Sequence, residues 1–73
     1  MTILDLRPGD TAAIVSFLGD LEVQSRLVEM GILPGVRFRL VKIAPLKGPV
    51  ELKVRDYYVS LRQSDAAHIE VQT

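Results

Sequence analysis

His68 is the only imidazole in the chain, and there is no cysteine for it to act with. The absence of thiols excludes thiolate zinc sites, disulfides and cysteine nucleophiles. A metal site built on His68 needs several convergent carboxylates, and neither H-x-x-E-H nor D-x-D-x-D-G spacing occurs. His68 is therefore read as a partly exposed residue at the edge of the last strand, and no metal ligand is assigned. Ser16, Ser25, Ser60 and Ser64 stand in no nucleophile-elbow or triad context. Glu22, Arg26 and Glu29 recur at helical spacing, which suits a solvated helix face supported by i,i+4 pairs. "RPGD" (Arg7 to Asp10) and "LKGP" (Leu46 to Pro49) lack the repeated glycines and lysine of a phosphate-cradling loop. No catalytic residue and no cofactor are assigned, and enzyme activity is not expected.

What remains is charge and apolar contact. Arg37, Arg39, Lys42, Lys47, Lys53, Arg55 and Arg62 make a mild basic patch if several of them face outward on adjacent strands. Charged side chains also blunt strand edges, which is the plainer explanation. Nine Lys and Arg balance nine Asp and Glu, for a net charge of zero. A nucleic-acid binder carries a basic surplus because its affinity comes from neutralising phosphates, so nucleic acid is not an expected partner.

The elements that must position these groups fit one domain over residues 1–73. Packing has to hold so small a chain together, and 48% hydrophobic residues make that feasible. "MTILDLRPGD" lacks the pattern of a secretory signal, and no apolar run reaches the ~18 residues of a membrane span. The expectation is a cytoplasmic protein with no direct membrane insertion.

"RPGD" reads as a type II turn and "TAAIVSFL" as the first strand, with both faces covered because its apolar residues do not alternate. Asp20 caps a helix over "LEVQSRLVEM". Val23, Leu27 and Met30 share one stripe of that helix. Leu21 and Val28 widen it to about half the circumference, beyond the ~100° a surface helix needs. Gly31 ends the helix at C′, and Pro34-Gly35 turns the chain into the next strand. In "VRFRLVKI" the apolar phase slips between Leu40 and Val41, which predicts a β-bulge. Gly48 lies in the following turn. "VELKV" and "YYVSLR" form a hairpin around Arg55-Asp56, with Asp56 supplying the tolerance of positive φ and Tyr57, Val59 and Leu61 on one side of the second strand. "QSDAAHI" reads as one helical turn capped by Ser64, and "IEVQT" as the last strand. About five short strands with one inserted helix predict a mainly β fold, a small closed or nearly closed barrel.

Two bare aliphatic residues between glycines, Ile32 and Leu33, and the "APL" of Ala44 to Leu46 are flanked by turn residues. Clustered exposed apolar groups mark interaction sites. The candidate partner-binding set is Leu27, Met30, Ile32, Leu33, Pro34, Pro45 and Leu46, although for Leu27 and Val23 completing the core is the plainer reading. Gly31, Gly35, Gly48 and Asp56 are the structural turn residues.

"RLVEMGILPGVRF", "KIAPLKGPVELKV" and "VSLRQSDAAHIEV" resemble, in order and spacing, the three sequence blocks of the ferrous iron transport protein A family. The resemblance runs from about Asp5 to Val71. It implies an SH3-like β-barrel with an inserted helix, noncatalytic and cytosolic. It also implies a large membrane partner, ferrous iron transport protein B, a permease carrying a cytoplasmic GTPase domain. Many family members have glycine where this chain has Asp56. SH3-like barrels bind peptides along grooves of turn-borne apolar side chains, which makes Ile32-Leu33-Pro34 the docking candidate. A second copy of the chain is another candidate occupant of the groove. The alternative function is action with a metal-dependent transcriptional repressor, whose type carries a similar barrel. The lack of a helix-turn-helix favours the transporter.

Overall fold

Backbone geometry at two short segments decides how the helix joins the sheet. The computed structural model describes all residues, Met1–Thr73. After a 3₁₀ turn at Ile3–Asp5 come β1 (Thr11–Phe17), α1 (Leu21–Glu29), β2 (Arg37–Ile43), β3 (Val50–Val54), β4 (Tyr57–Leu61), α2 (Gln63–Ala66) and β5 (Ile69–Gln72). Asp20 caps α1 as expected, its Oδ1 accepting from the Val23 N–H at 3.0 Å. At the other end the Gly31 N–H donates to the Val28 carbonyl and the Ile32 N–H to the Leu27 carbonyl, both at 3.0 Å. This pair of bonds is a Schellman closure, with Gly31 at φ +83 and its usual apolar contact provided by buried Leu27 and Ile32. Four residues later Gly35 takes φ +90, and the Val36 N–H reaches the Leu33 carbonyl at 3.0 Å. Pro34-Gly35 thus forms the tight turn that delivers the chain to β2.

All strand pairs are antiparallel, in the order β4-β3-β2-β1-β5. The predicted bulge is present: the β2–β3 register shifts between Leu40 and Lys42. A second shift, between Ile14 and Ser16, bends β1 against β5. This irregularity accounts for the imperfect alternation of β1. Its two faces are not both covered, since Ala12 and Ile14 are buried while Thr11 and Val15 are exposed. The curled sheet encloses one core containing Ile3, Leu27, Ile32, Leu40, Leu52 and Ile69.

The left-handed residue of one hairpin and the cap of α2 differ from expectation, and the β2–β3 loop has left-handed residues of its own. The left-handed residue of the β3–β4 hairpin is Arg55, φ 53, and not Asp56. In the β2–β3 loop the left-handed residues are Leu46 and Lys47, at φ 57 and 60. Gly48 is confined for another reason, since a Cβ there would lie 2.6 Å from that of Ala44. Arg62 occupies the N-cap of α2 without a side-chain bond, so Ser64 does not cap it. Arg26 stays exposed as expected, but it pairs across to α2 and not with a carboxylate of its own helix. Its guanidinium meets the buried Asp65 carboxylate of α2 at 2.7 Å and joins the two helices.

Candidate interaction surface

The chain-derived candidates divide into three groups. Leu27 and Ile32 have no exposure at all and belong to the core, so they are not available to a partner. In each case the Schellman closure turns the side chain inward, Leu27 from the last turn of α1 and Ile32 from the residue after Gly31. Met30 is half-buried against the same core. Leu33, 41% exposed, and the exposed Pro34 remain at the surface, as do Pro45 and Leu46, the latter 98% exposed. These last two pairs do not form one groove. They sit in the loops at opposite ends of β2, a seven-residue strand spanning about 20 Å along the chain.

At the Leu33 end lies a cleft of about 220 Å³ lined by Gly31, Leu33, Val36, Val54, Arg55 and Tyr57. Tyr57 pairs with Val54 and therefore faces the core side, but at the end of the sheet it stays 43% exposed. Its hydroxyl lies directly below Gly31, in the space a Cβ there would need. Gly31 is thus favoured by its φ, and a side chain there would also have to displace the Tyr57 hydroxyl. Sequence patterning placed Tyr57 only on one side of β4, with Val59 and Leu61. The signal that would have singled it out is its position next to a two-residue hairpin, at the end of the sheet.

Beside this cleft a second one, of about 260 Å³, is lined by Thr11, Arg37, Phe38, Arg39, Lys53 and Arg55. Arg55 borders both. Arg39 and Lys53 are cross-strand partners, and like charges directly opposite each other oppose pairing. None of Arg37, Arg39, Lys53 and Arg55 is ion-paired, the one salt bridge being Arg26–Asp65. Lys53 finds partial relief over the Tyr58 ring, 5.8 Å from its centroid. At the Leu46 end, a third and larger hollow of about 490 Å³ is lined by Lys47, Arg62, Gln63 and Ser64. There Gln63 Nε2 donates to the carbonyls of Ala44 and Gly48, both at 3.1 Å, and steadies the loop.

Chemistry by proton or metal finds little to work with. His68 is exposed and lies before β5 rather than in it, its Nδ1 2.6 Å from the Ser64 carbonyl oxygen. No three His, Asp or Glu side chains gather closely enough to hold a metal ion. What the surface offers is an apolar cleft, adjoining cations and a rigid frame.

A curled five-stranded antiparallel sheet with a helix between its first two strands is an SH3-like barrel. The FeoA domain family model matches residues 1–73, and the chain belongs to that family. A fusion protein from Porphyromonas gingivalis, joining Fe(2+) transport protein A to the Fe(2+) transporter FeoB, is 43% identical over 72 residues. That match covers 99% of this chain and 8% of the fusion. The solution structure of iron(II) transport protein A from Clostridium thermocellum has a TM-score of 0.90 at 34% identity. It covers all of this chain and 45% of that one. FeoA from Stenotrophomonas maltophilia, crystallised with zinc and described as a prokaryotic SH3 domain protein, has a TM-score of 0.75 at 30% identity. It covers 99% of this chain and 89% of that one. The family is one of ferrous iron transport.

Proposed function

We propose that this chain is a noncatalytic regulatory module of ferrous iron uptake, docking on the cytoplasmic GTPase part of the membrane permease, ferrous iron transport protein B. The observation that carries this reading is the Porphyromonas gingivalis fusion, in which a relative of this chain and the transporter share one polypeptide. Covalent joining keeps two parts at high effective concentration, which benefits parts that work in contact. The surface supports it, because Leu33, Pro34 and Tyr57 present apolar area beside a preformed cleft. No helix of the chain is long and apolar enough to cross a membrane. In this reading the chain sits at the cytoplasmic face of the membrane through its partner.

The test is co-purification of the chain with the detergent-solubilised transporter, with and without guanine nucleotide. Stoichiometric recovery that changes with nucleotide is the expected result. Absence of the complex under both conditions refutes the proposal, as does capture of a transcriptional repressor in the transporter's place. Self-association that excludes the transporter would reassign the cleft to a second copy.

A further inference from the structure

We infer that the Leu33–Tyr57 cleft and the basic sheet face beside it are one recognition site for an extended acidic segment of a protein partner. The segment carries an apolar side chain immediately followed by carboxylates. The inference deepens the proposed function and rests on it for the partner's identity, but not for the chemistry of the site.

The clefts of about 220 and 260 Å³ share one residue, Arg55. On one side of Arg55 the lining is apolar, with Leu33, Val36 and Val54. On the other side stand Arg37, Arg39 and Lys53 without an ion-pair partner. Hairpin geometry fixes Arg55 at this junction in a left-handed backbone conformation that β-branched and bulky residues avoid. A face bringing Arg39 opposite Lys53 opposes its own strand pairing, and a carboxylate laid across the two removes that repulsion. Strand separation is about 5 Å and residue rise about 3.3 Å, so a partner side chain in the apolar cleft places its next residues over the cations.

Shape selects among anionic partners. The apolar part is concave and receives a side chain, whereas a lipid surface requires a protruding apolar group beside the cations. Nucleic acid offers phosphates and bases but no aliphatic side chain for Leu33, Val36 and Val54, and the chain has no overall basic surplus. An acidic-apolar protein segment satisfies both halves.

The test has two arms using the full chain. In the first, amide shifts are followed by NMR during titration with a synthetic peptide of about ten residues. The peptide carries a leucine and a phenylalanine ahead of four glutamates, and a control replaces the glutamates by lysines. Shifts confined to Gly31–Val36, the β2 arginines and Lys53–Tyr57, weakening with salt and absent with the lysine control, are expected. Equal binding of the control, shifts centred on Lys47 and Arg62, or no binding overturns the inference. So does tighter binding to anionic phospholipid vesicles or to duplex DNA than to the peptide. In the second arm the variant Arg39→Ala/Arg55→Asn is compared with the unaltered chain for binding to the solubilised transporter. Asparagine retains the left-handed backbone, and retained circular dichroism and urea midpoint confirm the fold. A loss of about tenfold or more in affinity is expected. If the transporter binds both proteins equally, the inference fails while the proposed function stands. If the transporter binds neither, the proposed function fails and the peptide arm alone decides the site.

Discussion

Replacing Gly31 by alanine tests how α1, the cleft and the hairpin are joined, because the cost divides into two separable parts. The first is conformational: at φ +83 an L-residue loses roughly 1–2 kcal/mol. The second is steric, since the new methyl group enters the space of the Tyr57 hydroxyl. Removing that oxygen by Tyr57→Phe leaves the ring's Cζ, 3.5 Å from the added carbon, as the nearest neighbour, an ordinary contact. Gly31→Ala alone is therefore expected to cost about 2–4 kcal/mol, of the roughly 4–11 kcal/mol that a chain of this length holds. In the Tyr57→Phe background the same change costs only about 1–2 kcal/mol, the conformational part. Urea unfolding of the four proteins of this cycle, followed by circular dichroism, gives each value from the shift in midpoint at constant m. The coupling energy is expected near 1–2 kcal/mol, as for residues in contact. Additivity within about 0.5 kcal/mol would refute the placement of the tyrosine hydroxyl under Gly31 and, with it, the floor of the cleft.

Other perturbations separate the packed residues from the exposed ones. Ile32→Ala, at a fully buried position, should cost about 2–5 kcal/mol, whereas Leu33→Asp should change the urea midpoint little and abolish transporter binding. Loss of Arg26 strands a buried carboxylate, while loss of Asp65 leaves a guanidinium 43% exposed and able to rehydrate. Arg26→Ala should therefore destabilise by about 1–3 kcal/mol and Asp65→Ala by less, an ordering readable from thermal midpoints. Leu46→Gly removes a left-handed leucine that is almost wholly exposed and packs on nothing, so it should stabilise the fold by up to about 1 kcal/mol in urea.

The barrel was legible in the sequence because local signals and the buried pattern agreed. Asp20 before an apolar period, Gly31 and Pro34-Gly35 after it, and the phase slip at Val41 each appear at the expected place. One turn assignment failed for a physical reason. Positive φ was assigned to the more tolerant residue of the hairpin, Asp56, but strand register decides which loop residue must turn left, and there it is Arg55. The candidate site was legible in outline only. Leu33 and Pro34 are surface residues as expected, but adjacency in sequence did not reveal that Ile32 turns inward while Leu33 turns out. Arg55 and Tyr57 had only their place at a two-residue hairpin as a local signal, since the cleft they line comes from the end of the sheet meeting the end of α1.

Charge is spread unevenly over this barrel. The helix α1 is held by its cap, its Schellman closure and the Arg26–Asp65 pair, with Leu27 the one side chain it buries completely. Beside the Arg26–Asp65 pair, α1 and its cap carry the exposed carboxylates Asp20, Glu22 and Glu29. The second cleft is lined by four cations, Arg37, Arg39, Lys53 and Arg55, none of them ion-paired. A net charge of zero therefore conceals a local excess of cations at that cleft. An acidic partner segment is drawn to these cations, so electrostatics orients it and speeds encounter more than it adds affinity. Affinity then falls to the apolar cleft at the junction. Exposed Leu21 and Val28 on α1, lying among carboxylates and lining no cleft, give such a segment nothing to enter.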